Sequence, residues 1–196
     1  MAAGLLRRMP HEDVLVVADD GWQPWSRRPG RAVAARVGEL AAVLASGGAK
    51  AIVVASLQGT LDGLEAARAA APGLPVLGFE PAAVVARAAA EHPGMPVTVV
   101  VAAGAVRPPQ LAAALKRIRS GGLPVSPPGT AVGGVAALAC TGSCGSPPPG
   151  VECVSAAEVA ADRVHRLLVR DRGLARRRRA GRVLAMSSHP AAAAHR

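Results

Sequence analysis

The chain reads as an α/β fold built on mainly parallel sheets. Three observations predict it. Short apolar runs (VLVVA, AIVVA, PVLGF, VTVVVA) recur along the sequence and have the length of buried strands. Between them lie longer segments with apolar residues at helical spacing. Helix stops and starts punctuate these segments, such as Gly47-Gly48 and the capping box Ser155-Ala156-Ala157-Glu158. Strands that alternate with helices favour parallel pairing, and such sheets carry their sites just past the C-terminal ends of strands. The 196 residues suffice for one ordinary domain or two small lobes.

In chain order, Val14 to Ala18 is the first strand and ends in Asp19-Asp20. Asp19 to Gly30 is a loop with two Trp and two Pro. Arg31 to Ser46 places Val33, Val37, Leu40, Ala41 and Leu44 on one helical face. Ala51 to Ala55 is the second strand. Asp62 and Glu65 have the spacing of an N-cap and its partner, for a helix that stops before Pro72. Pro75 to Phe79 and Pro81 to Glu91 form a strand and a helix, as do Val97 to Ala102 and Pro108 to Arg119. Ser120 to Gly134 reads as loop. Val135 to Ala139 and Val151 to Val154 are short strands, and a helix runs from the Ser155 cap to about Val169. A charged connector, a last strand at Arg182 to Met186 and a helical turn at Pro190 to Arg196 close the chain.

Composition narrows the functional classes. Hydrophobic residues reach 51%, yet 44 residues are alanine and there is no Tyr, one Phe and two Trp, so the core is built from small side chains. The charge of +10 comes from 21 Arg against 2 Lys. That skew has the look of a bias in the coding DNA, which weakens it as a sign of a nucleic-acid partner. Arg176 to Arg179 is accordingly read as a solvated connector, because no aromatic interleaving or known module accompanies it. Neither a signal peptide nor a membrane helix is readable, and three cysteines without an export signal indicate a cytoplasmic protein with free thiols. Cys140, Cys144 and Cys153 lack paired metal-ligand spacing, and the five histidines are scattered, so no metal site is expected.

A weak internal repeat points to the chemistry. Gly47 to Ser56 (GGAKAIVVAS) resembles Gly133 to Cys140 (GGVAALAC), and each leads on to a strand and an Ala/Val-rich helix. The repeat places Ser56 and Cys140 at equivalent strand ends. Asp19, Asp20 and Glu80 stand at or just past other strand ends, where they could line a polar cleft.

Several stretches resemble glutamate racemase, of the aspartate/glutamate racemase superfamily. Leu5 to Asp19 is similar to the family's first helix and second strand. Pro24-Trp25-Ser26 stands where the family has Pro-Tyr-Gly. Lys50 to Ala83 is similar to a stretch that the family reads as a strand, Cys-Asn-Thr, a helix, a strand and Glu-Pro. Thr98 to Val106 resembles the strand entering the second lobe, Leu138-Ala139-Cys140-Thr141 the second cysteine motif, and Val183 to Pro190 the closing strand and turn.

The resemblance implies two pseudosymmetric α/β lobes with a substrate cleft between them. Residues 1–93 with 171–196 would form the first lobe and 94–170 a shortened second one. It implies cofactor-independent interconversion of L- and D-glutamate, supplying peptidoglycan synthesis, with one thiol removing the α-proton and a second returning one from the opposite face. Cys140 would be a catalytic thiol, with Ser56 at the position of the other. Pro24, Trp25, Ser26, Leu57, Gln58 and Thr141 would bind the substrate. The chain departs from the family where Ser56 replaces the first catalytic Cys and Gly142 replaces a His. A hydroxyl is a far weaker acid than a thiol, so impaired activity is expected. The alternatives are a non-catalytic pseudoenzyme or interaction module of the same fold, and single-thiol chemistry such as decarboxylation of an activated diacid. The chain also starts after the family's first strand. That would leave sheets incomplete and the Val14 to Ala18 edge exposed, inviting association into a homodimer.

Overall fold

The computed structural model describes residues 1–102, 104–127, 135–138, 151–171, 173–175 and 179–187. Among these, the secondary structure alternates as expected. Helix α1 (Ala2–Arg8) precedes β1 (Val14–Ala18), and two 3-10 turns, Asp20–Trp22 and Trp25–Arg27, lead to α2 (Gly30–Ser46). Then follow β2 (Ile52–Val54), α3 (Leu57–Ala70), β3 (Val76–Gly78), α4 (Pro81–Glu91), β4 (Val97–Val100) and α5 (Pro108–Ser120). Strands β5 (Val135–Leu138) and β6 (Glu152–Ser155), helix α6 (Ala156–Arg170) and β7 (Val183–Ser187) complete the described elements.

Among the described residues every strand pair is parallel. β1 pairs with β7 and β2 with β3, while β4, β5 and β6 form a three-stranded sheet in that order. The sheet β2–β3 packs under α2 and α3. Their shared core contains Val33, Val37, Ala41, Ile52, Leu64, Ala67 and Val76. A second core joins β4–β5–β6 to α4, α5 and the start of α6, around Phe79, Val84, Val85, Val97, Leu115 and Val135. Helix α6 links the two regions. Its first turn packs in the second core, whereas Val164 and Leu168 meet Leu77 of β3 and Met9 after α1. With one Phe in the chain, packing relies on close helix approach: a Cβ on Gly63 of α3 would fall 2.6 Å from Val37 Cβ of α2.

Two expectations need correction. The cap of α3 is Ser56, whose hydroxyl accepts from the Gly59 amide, so the helix starts at Leu57 and holds Asp62 in its interior. The Ser56 hydroxyl sits just after β2 and satisfies one of the first free amides, that of Gly59, which favours the earlier start. The fourth strand ends at Val100, not Ala102. Residues 128–134 of the expected Ser120 to Gly134 loop and the turn expected at Pro190 to Arg196 lie outside the described residues. β1 pairs on one side with β7, and all five β7 residues are exposed, including Val183, Leu184 and Met186.

Candidate functional site at the strand ends

Ser56 follows β2 and caps α3, with its Oγ 3.2 Å from the Gly59 amide nitrogen. It stands at a strand's C-terminal end, where the sequence placed it, and its oxygen serves the helix. Thr60, one turn on, stitches this helix to both neighbouring strand ends. Its hydroxyl lies 2.7 Å from the Ser56 carbonyl and 3.2 Å from the Val54 carbonyl, and it accepts from the Phe79 amide at 3.0 Å.

The next two residues are committed to packing. Leu57 is 4% exposed and clusters with Val106, beside Leu61, Val99, Val101 and Leu111. Gln58 is fully buried. Its Oε1 accepts from the Arg107 amide at 2.9 Å, and its Nε2 donates to Asp62 Oδ2 and Gln110 Oε1, both at 2.7 Å. Both side chains are covered by residues of the 104–111 region: Val106 and Leu111 pack by Leu57, and Arg107 and Gln110 bond to Gln58.

Pro24, Trp25 and Ser26 occupy the loop after β1, in which the Gln23–Pro24 peptide is cis. Trp25 packs against the α2–α3 core and stands 5.7 Å from Trp22, ring centre to ring centre. Ser26 Oγ donates to the Gly104 carbonyl at 2.5 Å. The structure therefore brings Ser26, Leu57 and Gln58 against residues 104–107. Cys140 and Thr141 lie outside the described residues, as does Cys144.

The carboxylates expected near strand ends are paired. Asp19, its side chain 2% exposed, accepts a two-pronged bond from Arg36 at 2.8 and 2.9 Å. Both acceptor oxygens hold the Arg36 guanidinium above its ordinary pKa, chiefly through the Asp19 hydrogen bonds. Asp20 accepts from the Ser187 hydroxyl at 3.0 Å, and Glu80 pairs with Arg163 at 2.9 Å. Cys153 on β6 is exposed, with partial desolvation raising its thiol pKa. Among the described residues, no three His, Cys, Asp or Glu side chains converge as a metal site, and no helix is long and apolar enough to cross a membrane.

Sequence reasoning missed the Asp62–Arg107–Gln110 cluster around Gln58. Asp62 Oδ2 lies 2.5 Å from Arg107 Nη2, and Gln110 Nε2 donates to Asp62 Oδ1. One signal was present: an acidic residue facing the interior side of a helix whose cap lies elsewhere needs a buried partner. Its identity, 45 residues away, had no local trace.

No protein-family model matches the chain. In sequence it is 34% identical over 111 residues to a glutamate racemase of Stutzerimonas stutzeri, covering 57% of this chain and 41% of the relative. It is 35% identical over 118 residues to that of Pseudomonas entomophila, covering 60% and 44%. The match thus spans less than half the length of these curated relatives. In structure it resembles glutamate racemase isoform RacE1 of Bacillus anthracis, with a TM-score of 0.77 at 19% identity over 97% of this chain and 84% of that one. It also resembles the Francisella tularensis glutamate racemase solved in complex with D-glutamate, with a TM-score of 0.76 at 15% identity over 96% and 82%. The chain is therefore glutamate racemase-like, by sequence over its matched part and by fold over nearly all its length.

Proposed function

We propose that this chain binds glutamate or a closely related acidic amino acid at the ends of β2 and β5, without a cofactor, and carries a reduced form of racemase chemistry. The observation that carries the reading is Ser56: it occupies the strand-end, helix-cap position expected of the first thiol, and its Oγ accepts from the Gly59 amide. An alcohol there does not deprotonate a Cα–H beside a carboxylate. Cys140, two residues past β5 in sequence, is the remaining thiol with suitable chemistry. One thiol exchanges the α-proton of one enantiomer with solvent, whereas inversion also needs an acid on the opposite face. The two lobes of this reading are residues 1–93 with 171–196, and 94–170. Its cellular setting is the cytoplasm, with D-glutamate feeding peptidoglycan synthesis. Homodimer formation through the exposed β1–β7 ribbon belongs to the same reading.

The test incubates each glutamate enantiomer in D₂O and follows both label at Cα and optical rotation. The expected result is slow or undetectable racemisation, since losing a positioned acid or base costs about 10²–10⁴-fold. Any single-enantiomer exchange is expected to vanish in Cys140→Ala, and Ser56→Cys alone is expected to restore little. Robust racemisation unaffected by Cys140→Ala would refute the assignment. The burial of Leu57 and Gln58 favours a second reading, a non-catalytic relative of the same fold. It predicts no Cα exchange for either enantiomer and no glutamate binding by calorimetry.

A further inference from the structure

Residues 104–107, before α5, are tied both to α3 and to the loop before α2. Gly104 accepts from Ser26 Oγ at 2.5 Å. The Arg107 side chain reaches both ways, with Nη1 donating to the Arg28 carbonyl at 2.6 Å and Nη2 to Asp62 at 2.5 Å. The Arg107 amide donates to Gln58 Oε1 at 2.9 Å. Between these polar ties, Val106 is 6% exposed and packs on Leu57.

Asp62 is the anchor. Its side chain is 6% exposed and receives donors from Gln58, Gln110 and Arg107. A carboxylate taken this far out of water is stable only while its partners stay, so the cluster is cooperative: losing one donor weakens the rest. Gly30 at the start of α2 permits the approach, since a Cβ there would lie 3.3 Å from Asp62 Oδ1 and 3.4 Å from Arg107 Nη2.

We propose that Asp62, Gln58, Gln110 and Arg107 form a latch that clamps residues 104–107 over the first turn of α3, so that small molecules reach Leu57 and Gln58 only when it opens. The latch goes beyond the functional reading above and holds whether or not the chain acts on glutamate. Closed, it leaves Leu57 beneath Val106 and Gln58 without solvent contact. Open, it frees the turn next to Ser56 together with a guanidinium and a carboxylate, the groups that would face a small zwitterion.

The Arg107 amide reports directly on the latch. It sits at the cap of α5, so the helix gives it no carbonyl partner, and its bond is to the Gln58 side chain. Its hydrogen exchange, followed by NMR, should be slow in the parent chain. It should speed up about tenfold or more in Asp62→Asn and, at the same backbone position, in Arg107→Ala. Leu57→Cys supplies a second readout, with slow maleimide labelling in the otherwise unchanged chain and faster labelling when Arg107→Ala is added. Circular dichroism of each sample establishes folding, and if Arg107→Ala does not fold, Asp62→Asn decides. Fast exchange of the Arg107 amide in the parent, or equal exchange and labelling rates across the folded variants, would overturn the latch.

Discussion

Thr60 Oγ1 accepts the Phe79 amide at 3.0 Å, while its own proton points back to the Ser56 carbonyl at 2.7 Å, so one hydroxyl ties the first turn of α3 to the end of β3. Neither Thr60 nor Phe79 is exposed to water that could replace this bond. Thr60→Val should leave the Phe79 N–H unpaired and cost about 1–3 kcal/mol. Thr60→Ser, which keeps the oxygen, should cost less. Urea denaturation midpoints of the two variants check the order, and equal losses would show that the methyl packing matters more than the bond.

Gly63 and Gly38 should respond in opposite senses to alanine. At Gly63 the added carbon would sit 2.6 Å from Val37 Cβ, and helices α2 and α3 would have to separate. Overpacking of this kind costs about 1–3 kcal/mol, which outweighs the gain in helix propensity. At Gly38 the nearest atom is the Ala66 carbonyl oxygen at 3.5 Å, an ordinary contact. There alanine should stabilise by about 0.5–1 kcal/mol. Thermal unfolding of both variants is the measurement.

Removing Arg36 takes a bidentate partner from a buried carboxylate. The Asp19 side chain is 2% exposed and held by both prongs of the guanidinium. Arg36→Ala should cost about 1–3 kcal/mol, and Arg36→Lys should recover only part because an ammonium cannot make the fork. A base whose folded pKa is raised contributes its stability below its unfolded pKa. For arginine that covers the whole working range, so the penalty should be the same at about pH 6 and pH 9. Chemical denaturation at the two pH values tests this.

Cys153 should alkylate slowly at neutral pH although it is exposed. Desolvation raises its thiol pKa, so the reactive thiolate is scarcer than in an unstructured cysteine. The labelling rate should climb with pH and level off above the ordinary thiol range. Peptide-level mass spectrometry of iodoacetamide labelling gives the profile, and a plateau reached near pH 8 would contradict it.

The secondary structure was legible because its signals are local. Val14 to Ala18 and Pro81 to Glu91 appear with the expected bounds, since an apolar run closed by Asp and a Pro at a helix start act within a few residues. The start of α3 was misread because two caps competed in the sequence, and Ser56 lay closer to the end of β2 than Asp62 did. At the strand ends, the position of Ser56 was readable from its place after an apolar run. The burial of Gln58 was not, since it depends on Arg107 and Gln110 folding back from another helix.

By itself, the sequence determined the alternation of strand and helix, the parallel habit of the sheets, the small-residue core and the likeness to glutamate racemases. Each of these follows from side-chain periodicity, residue size or matched motifs, all of which are carried along the chain. Only the tertiary structure decided which strands pair and how the first turn of α3 is used. β1 lies beside β7, 169 positions away by the Val14–Val183 register, and Asp62 finds Arg107 across the seam between α3 and α5. Such pairings are set by which buried charges and amides must be satisfied once the helices close on one another, a condition that arises only in three dimensions.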